Sequence, residues 1–275
     1  MKRPQSRRSF ERLETRQMMA GNVVASVVGG NLTITGDDAA NVVTLQEIGD
    51  TGQWQITLGQ RTWTDNHVQK FVTDTVTGNI TVNLNGGADN LTIKGGSIPG
   101  HLTILMGDGD DSATLTNLQI GTFLHFEGGA GNDQLTVKNV HVSDPTFAYF
   151  SSIDMQDGND RANIRNFTDQ DLQLTMGAGN DHLTMTDCTF VGGPFQRLQI
   201  DTGDGNDTTT LKNDATGPLT VNTGTGKNDL KVTDCTADSA NFENSGTGKL
   251  SGSGNTFGAD TVAPGFTHLL GEFNV

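Results

Sequence analysis

A chain of 275 residues has room for one sizeable domain or two small ones. Its composition, 33% hydrophobic with 36 Gly against 6 Pro and abundant Asp, Asn and Thr, is that of a turn-rich all-β protein. The formal charge of −15 becomes −19 once the first twenty residues, with six basic and two acidic side chains, are set aside. So acidic a surface repels phosphate backbones and argues against a nucleic-acid partner, and no apolar run nears the ~20 residues that span a bilayer.

In chain order, residues 1–21 come first and stand apart from the fold. They are basic and then mildly apolar, without the long apolar stretch of an ordinary secretory signal. Read on chemistry alone they form a basic tail. The stretch carrying Leu13, Glu14, Arg16, Met18 and Met19 nonetheless resembles the LEPR-type N-terminal motif of exported planctomycete proteins, with Thr15 where that motif usually has Pro. The resemblance implies export, hence a secreted or cell-surface protein. Residues 22–78 alternate in strand fashion but fit no repeat, and are expected to form an N-terminal β cap. Such a cap covers the open end of a stacked sheet.

From residue 79 to 258 one unit recurs. Aligned on a turn residue, the copies anchor at Asp89, Asp111, Asp133, Asp160, Asp181, Asp207 and Asn228, with spacings of 22, 22, 27, 21, 26 and 21. Each anchor closes a glycine-rich turn such as LMGDGDD or EGGAGND. Nine and seven residues before it stand pairs such as Leu102/Ile104 and Leu124/Phe126; two and four residues after it stand pairs such as Leu91/Ile93 and Leu135/Val137. These are period-2 strands flanking a turn. Six residues after each anchor comes Gly95, Asn117, Asn139, Asn166, Asp187, Asn213 or Asp234, a polar ladder whose parity predicts an inward direction. A short third strand is expected from the seventh position. Two or three strands per unit of about 23 residues is the arithmetic of a parallel β-helix, a single-stack solenoid expected to be right-handed, with each coil adding ~4.8 Å. The longer spacings predict loops at 141–152 and within 188–198. Residues 259–275 form a tail or C-terminal cap. Cys188 and Cys235 share a column two coils apart, ~9–10 Å, beyond disulfide reach, and read as buried free thiols.

The segment Gly128-Gly129-Ala130-Gly131-Asn132-Asp133-Gln134-Leu135 resembles the nonapeptide repeat of RTX (hemolysin-type calcium-binding) proteins, and partial copies recur in each unit. In that family calcium sits between successive turns, held by carboxylates and backbone carbonyls, and each coil carries two such turns; here each carries one. The resemblance implies one row of cation sites on Asp89, Asp111, Asp133, Asp160, Asp181 and Asp207, with Asp108, Asp110, Asp157 and Asp204 adding charge to the same edge. Hard oxygen donors favour calcium over transition metals. The same residues also suit tight turns with no metal, because Gly supplies positive φ and Asp bonds its own backbone. Lys227 and Lys249 favour a metal-free C-terminal end.

Outward on the strand before the turn lie His125, Glu127, Ser152 and Asp154. The Glu127 and Asp154 carboxylates on adjacent coils suit acid/base chemistry on a glycosidic bond, as in polysaccharide-cleaving β-helix enzymes; a solvated polar face is the simpler account. Aromatic platforms look scarce, with both Trp54 and Trp63 in the cap and one tyrosine, Tyr149. Arg161 and His182 share a column and are expected to pair with turn carboxylates, with Arg165 nearby. No nucleophile triad, phosphate loop or zinc spacing is present in the sequence. The sequence thus reads as an exported structural or interaction module, calcium-stabilised along one edge and more a binder than an enzyme. Surface components or extracellular polysaccharide are its expected partners.

Overall fold

A computed structural model describes residues 21–60, 62–64, 68–144, 149–190, 196–262 and 266–270. The export-type segment 1–20 and parts of both expected loops lie outside the described residues. The chain forms stacked parallel coils, about eight of them at roughly 22 residues each. Three strand positions follow one another around each coil, and each pairs with its counterpart in the next coil.

Before the turn, Ile80–Asn83 pairs in register with Leu102–Leu105, which pairs with Leu124–Ala130 and so on through Leu198–Asp201. After the turn, Asn90–Ile98, Ser112–Ile120, Gln134–Val142 and Arg161–Asp169 stack likewise. Each of these longer strands runs through a corner into the third side. Alternate residues point inward, so Leu102/Ile104, Leu91/Ile93 and their equivalents line one continuous core along the axis. A one-residue slip would turn every one of them to solvent, which is why no register shift occurs in these central pairs.

The corner explains the one directional expectation that fails. The ladder at the sixth position faces solvent, not the core. Asn117, Asn139, Asn166, Asp187, Asn213 and Asp234 all have φ between 51° and 58°. A residue in the left-handed region breaks strand parity, so the fifth and sixth side chains both point out, and the seventh (Leu118, Val140, Phe167, Cys188) turns in. Asn tolerates that conformation better than most residues. The ladder bonds to itself: Asn139 donates to Asn117 Oδ1 at 2.8 Å and Asn166 to Asn139 Oδ1 at 2.9 Å.

The stack also extends past residues 79–258 in both directions. Asn31–Thr35 pairs parallel with Ile80–Asn83, and Val42–Glu47 with Asn90–Ile98, so the 22–78 region contains two sides of a first coil. An antiparallel sheet of Val42–Glu47, Gln53–Leu58 and Lys70–Thr75 covers it, with Trp54 buried beneath. Val24–Val28 folds back on Asn31–Thr35 as a hairpin. At the other end Phe266–Leu270 pairs with Thr247–Ser253. Both cysteines are free and buried, as their column predicts, and burial pushes the Cys188 thiol up to about 12 and that of Cys235 to about 11.

Candidate functional site

The turn anchors form a column inside the fold. Asp89, Asp111, Asp133, Asp160, Asp181 and Asp207 are each only 2–3% exposed. In every one, Oδ1 accepts the backbone N–H of the equivalent residue one coil earlier: Asp89 from Asn41 at 2.7 Å, Asp111 from Asp89 at 2.6 Å, Asp133 from Asp111 at 2.8 Å, and onward to Asp207 from Asp181 at 2.9 Å. Asp207 N–H donates in turn to Asn228 Oδ1 at 2.9 Å. Six carboxylates are thus framed by two amides, Asn41 and Asn228.

The second oxygens tell a different story. Oδ2 of all six aspartates is buried, and in all but Asp207, whose carboxyl the Thr202 hydroxyl approaches, it makes no hydrogen bond. The framing amides reveal the surroundings of that position. Asn41 Nδ2 donates to Ala39 O at 2.6 Å and Asp37 O at 3.1 Å, and Asn228 Nδ2 donates to Thr223 O and, at 3.2 Å, to Thr225 O. The position faces carbonyl oxygens of its own turn. An amide satisfies them; an ionised carboxylate repels them. Burial accordingly raises the carboxyls to about 7 in Asp89 and Asp160 and about 6 in Asp111, Asp133 and Asp181. Asp207 is also raised, and the backbone N–H bond opposes the shift throughout.

The other expected ligands lie outside this column. Asp108, Asp157 and Asp204 are exposed on the far side of the turn, where Thr225 Oγ1 donates to Asp204 Oδ1 at 2.7 Å. Asp110 heads an exposed ladder: Asn132 donates to it through both N–H and Nδ2, and Asn159, Asn180 and Asn206 continue the series. These bonds lower the Asp110 carboxyl. Inner and outer carboxylates therefore do not converge. Among the described residues no three His, Cys, Asp or Glu side chains gather as a metal-ligand group.

One coil differs from the others beside the unbonded oxygen. Five residues before each anchor the side chain points inward and is apolar or a hydroxyl: Leu84, Met106, Met155, Met176 and Thr202 are all buried. Before Asp133 the residue is Gly128, and a Cβ there would lie 2.7 Å from Asp133 Oδ2 and from Met155 O. Thioethers are poor partners for a hard cation, whereas carboxylate and carbonyl oxygens are good ones. Asp133 Oδ2 and Met155 O are oxygens of the kind a hard cation takes, and residue 128 places no side chain beside them, where the other coils carry Leu, Met or Thr. This is also the only coil with the complete glycine pattern, because Gly128 adds to the turn glycines Gly129 and Gly131, whose positive-φ counterparts recur in other coils.

On the strand before the turn, His125, Glu127, Ser152 and Asp154 do come together. His125 Nδ1 lies 2.6 Å from Ser152 Oγ and Nε2 lies 3.0 Å from Glu127 Oε1, while Glu127 and Asp154 are side by side in register. Burial, and then Glu127, raise the Asp154 carboxyl. The repeat places these four side chains on adjacent coils, and the structure adds the hydrogen-bonded series of serine, histidine and glutamate across the 27 residues between His125 and Ser152. An aromatic strip borders this cluster. His101 stacks on Phe123 with centroids 4.6 Å apart, and Phe123 meets the exposed Tyr149 at 5.4 Å.

Arg161 and His182 are neighbours in register on the strand after the turn, and no turn carboxylate lies within ion-pair distance of Arg161 among the described residues. They do not pair with the turn because their side chains leave the opposite side of the sheet from the anchor. A second buried acidic group went unread in the sequence: Asp144, Asp169 and Asp171, of which Asp171 holds Arg197 through two bonds of 3.0 and 3.2 Å. Comparisons with protein-family models, with curated proteins and with solved structures find no match.

Proposed function

We propose that this chain is a structural and interaction module of the cell surface or extracellular space, stabilised by calcium at the turn corner. The observation that carries the reading is the set of buried, unbonded Asp oxygens in a position surrounded by carbonyls. That position demands either a proton or a cation. Asp133 is the preferred cation ligand, with its own turn carbonyls and Met155 O completing an oxygen set, because Gly128 puts no side chain beside its Oδ2. Bound there, calcium supplies charge neutralisation and cross-links adjacent coils. The flanking aspartates take up protons as the pH falls through about 6–7. Export rests on the N-terminal resemblance alone.

Calorimetric titration with calcium at pH 7.5, on the wild type and on Asp133→Asn, tests the metal. We expect binding and a higher melting temperature in the wild type and neither in the variant, whose amide satisfies the carbonyls directly. A wild type that neither binds calcium nor melts later in its presence sinks the reading.

A second reading, a polysaccharide-acting surface, is favoured by the hydrogen-bonded His125, Ser152 and Glu127 with Asp154 beside them and the aromatic strip alongside. Cleavage of a polysaccharide panel that survives both Glu127→Ala and Asp154→Ala would remove this cluster from consideration.

A further inference from the structure

The strand after each turn presents an outward face unlike the rest of this acidic protein. Its central positions form a row in strict register: Thr92, Thr114, Thr136, Asn163, Thr184 and Thr210. From the Asp89 coil to the Asn228 coil, the first, third and fifth positions after the anchor carry six cations, Lys94, Lys138, Arg161, Arg165, Lys212 and Lys231, against one acid, Asp229, with Asp187 and Asp234 outward at the sixth-position corner. All six cations are exposed. One is paired, Arg165 with Asp187 across 3.6 Å, between groups 62% and 38% exposed, where solvent screens the attraction. The outward positions of the strand before the turn carry Glu127, Asp154 and Asp201 and no Lys or Arg over the same coils. In a body of formal charge −19 beyond residue 20, that is a segregation of charge by face.

We infer that this face binds a linear acidic polysaccharide, with the cation columns meeting its carboxylates and the Thr/Asn row meeting its hydroxyls. The inference names the partner of the interaction module proposed above and does not depend on calcium. Charge complementarity selects a polyanion. A screening length of ~8–10 Å lets this face act apart from the acidic turns elsewhere. The geometry selects among polyanions. Successive coils repeat every ~4.8 Å, so cations and hydroxyls form an extended straight grid suited to a linear chain of repeating sugars. The outward positions carry no Phe, Tyr or Trp on which unpaired bases could stack, and the sheet has no protruding element to enter a duplex groove.

The test uses the full chain at pH 7.5 in EDTA, with circular dichroism verifying the fold. Titrations use polygalacturonate, fully methyl-esterified pectin and a single-stranded DNA 20-mer. We expect polygalacturonate to bind in 20 mM salt, to weaken at least tenfold in 300 mM salt, and to outcompete both other polymers. The triple variant Lys138→Gln, Arg165→Gln, Lys212→Gln should lose at least tenfold in affinity with an unchanged melting curve. The variant Lys70→Gln, which removes a cation from the antiparallel cap, should bind as the wild type does. Absent binding, equal binding of the esterified polymer, tighter binding of DNA, or a triple variant indistinguishable from wild type each overturns the proposal. Binding that appears only when calcium replaces EDTA also overturns it, because the polymer would then be bridged by metal to the acidic edge, and that outcome leaves the calcium reading intact.

Discussion

Two columns run the length of the turn corner one residue apart, and they solve the same problem in opposite ways. At the anchor the side chain points in; at the residue before it, it points out. The outer column is mostly asparagine from Asn132 to Asn206, and each amide both accepts from the next coil and donates to the previous one. The inner column is aspartate, and each side chain accepts one backbone N–H and offers nothing back. An exposed amide ladder is complete in itself. A buried carboxylate ladder is half complete, and its unbonded oxygens make the corner responsive to protons and cations.

The largest expected effect comes from titrating that half. The folded carboxyls sit near 6–7 against an ordinary value of 3.8, so the folded chain holds protons more tightly than the unfolded chain. Stabilisation from this source is complete below about pH 4 and is lost as the pH rises through 6–7. Metal-free protein should therefore melt about 10 °C lower at pH 7.5 than at pH 5, the equivalent of a few kcal/mol for a chain of this size. Calcium at pH 7.5 should recover part of the loss. Thermal melts followed by circular dichroism decide it, and a curve that rises with pH would reverse the assignment.

Gly131→Ala breaks both columns at once, since its Cβ would overlap Gly109 O and its φ is +143°. Unfolding in urea should show a loss of about 3 kcal/mol or more, from backbone strain and overpacking together. Asp133→Ala touches only the inner column. It strands the Asp111 N–H, and about 1–3 kcal/mol should be lost in the same assay. Asp133→Asn should do the reverse at pH 7.5 without metal, stabilising by about 1 kcal/mol, because the amide keeps the accepted bond and adds a donor toward the turn carbonyls. The smallest effect belongs to the outer column: Asn159→Ala removes an exposed amide and should cost about 0.5 kcal/mol with no change in the pH profile.

The parallel stack, its register and its core were legible in the sequence because a solenoid repeats one local rule, and the rule appears wherever the anchor recurs. Even the first coil obeyed it. Leu32/Ile34 and Val43/Leu45 stand at the proper distances from Asn41, but a hairpin inserted between Asn41 and Asp89 hides the spacing. The aspartates were likewise legible as a column, and so was the glycine pattern around Asp133.

Only the tertiary structure decided which way each polar side chain points. Parity gave the wrong direction for Asn117 and its ladder, because a single residue in the left-handed region resets the alternation and that conformation is not written in the spacing. It also separated Asp108, Asp110, Asp157 and Asp204 from the inner aspartates, which the sequence had placed on one edge. The charge segregation of the two strand faces emerged by the same route, since side chains about twenty residues apart become neighbours once the coils stack. A sequence repeat fixes what each coil contains, and the stacking of coils decides what those contents face.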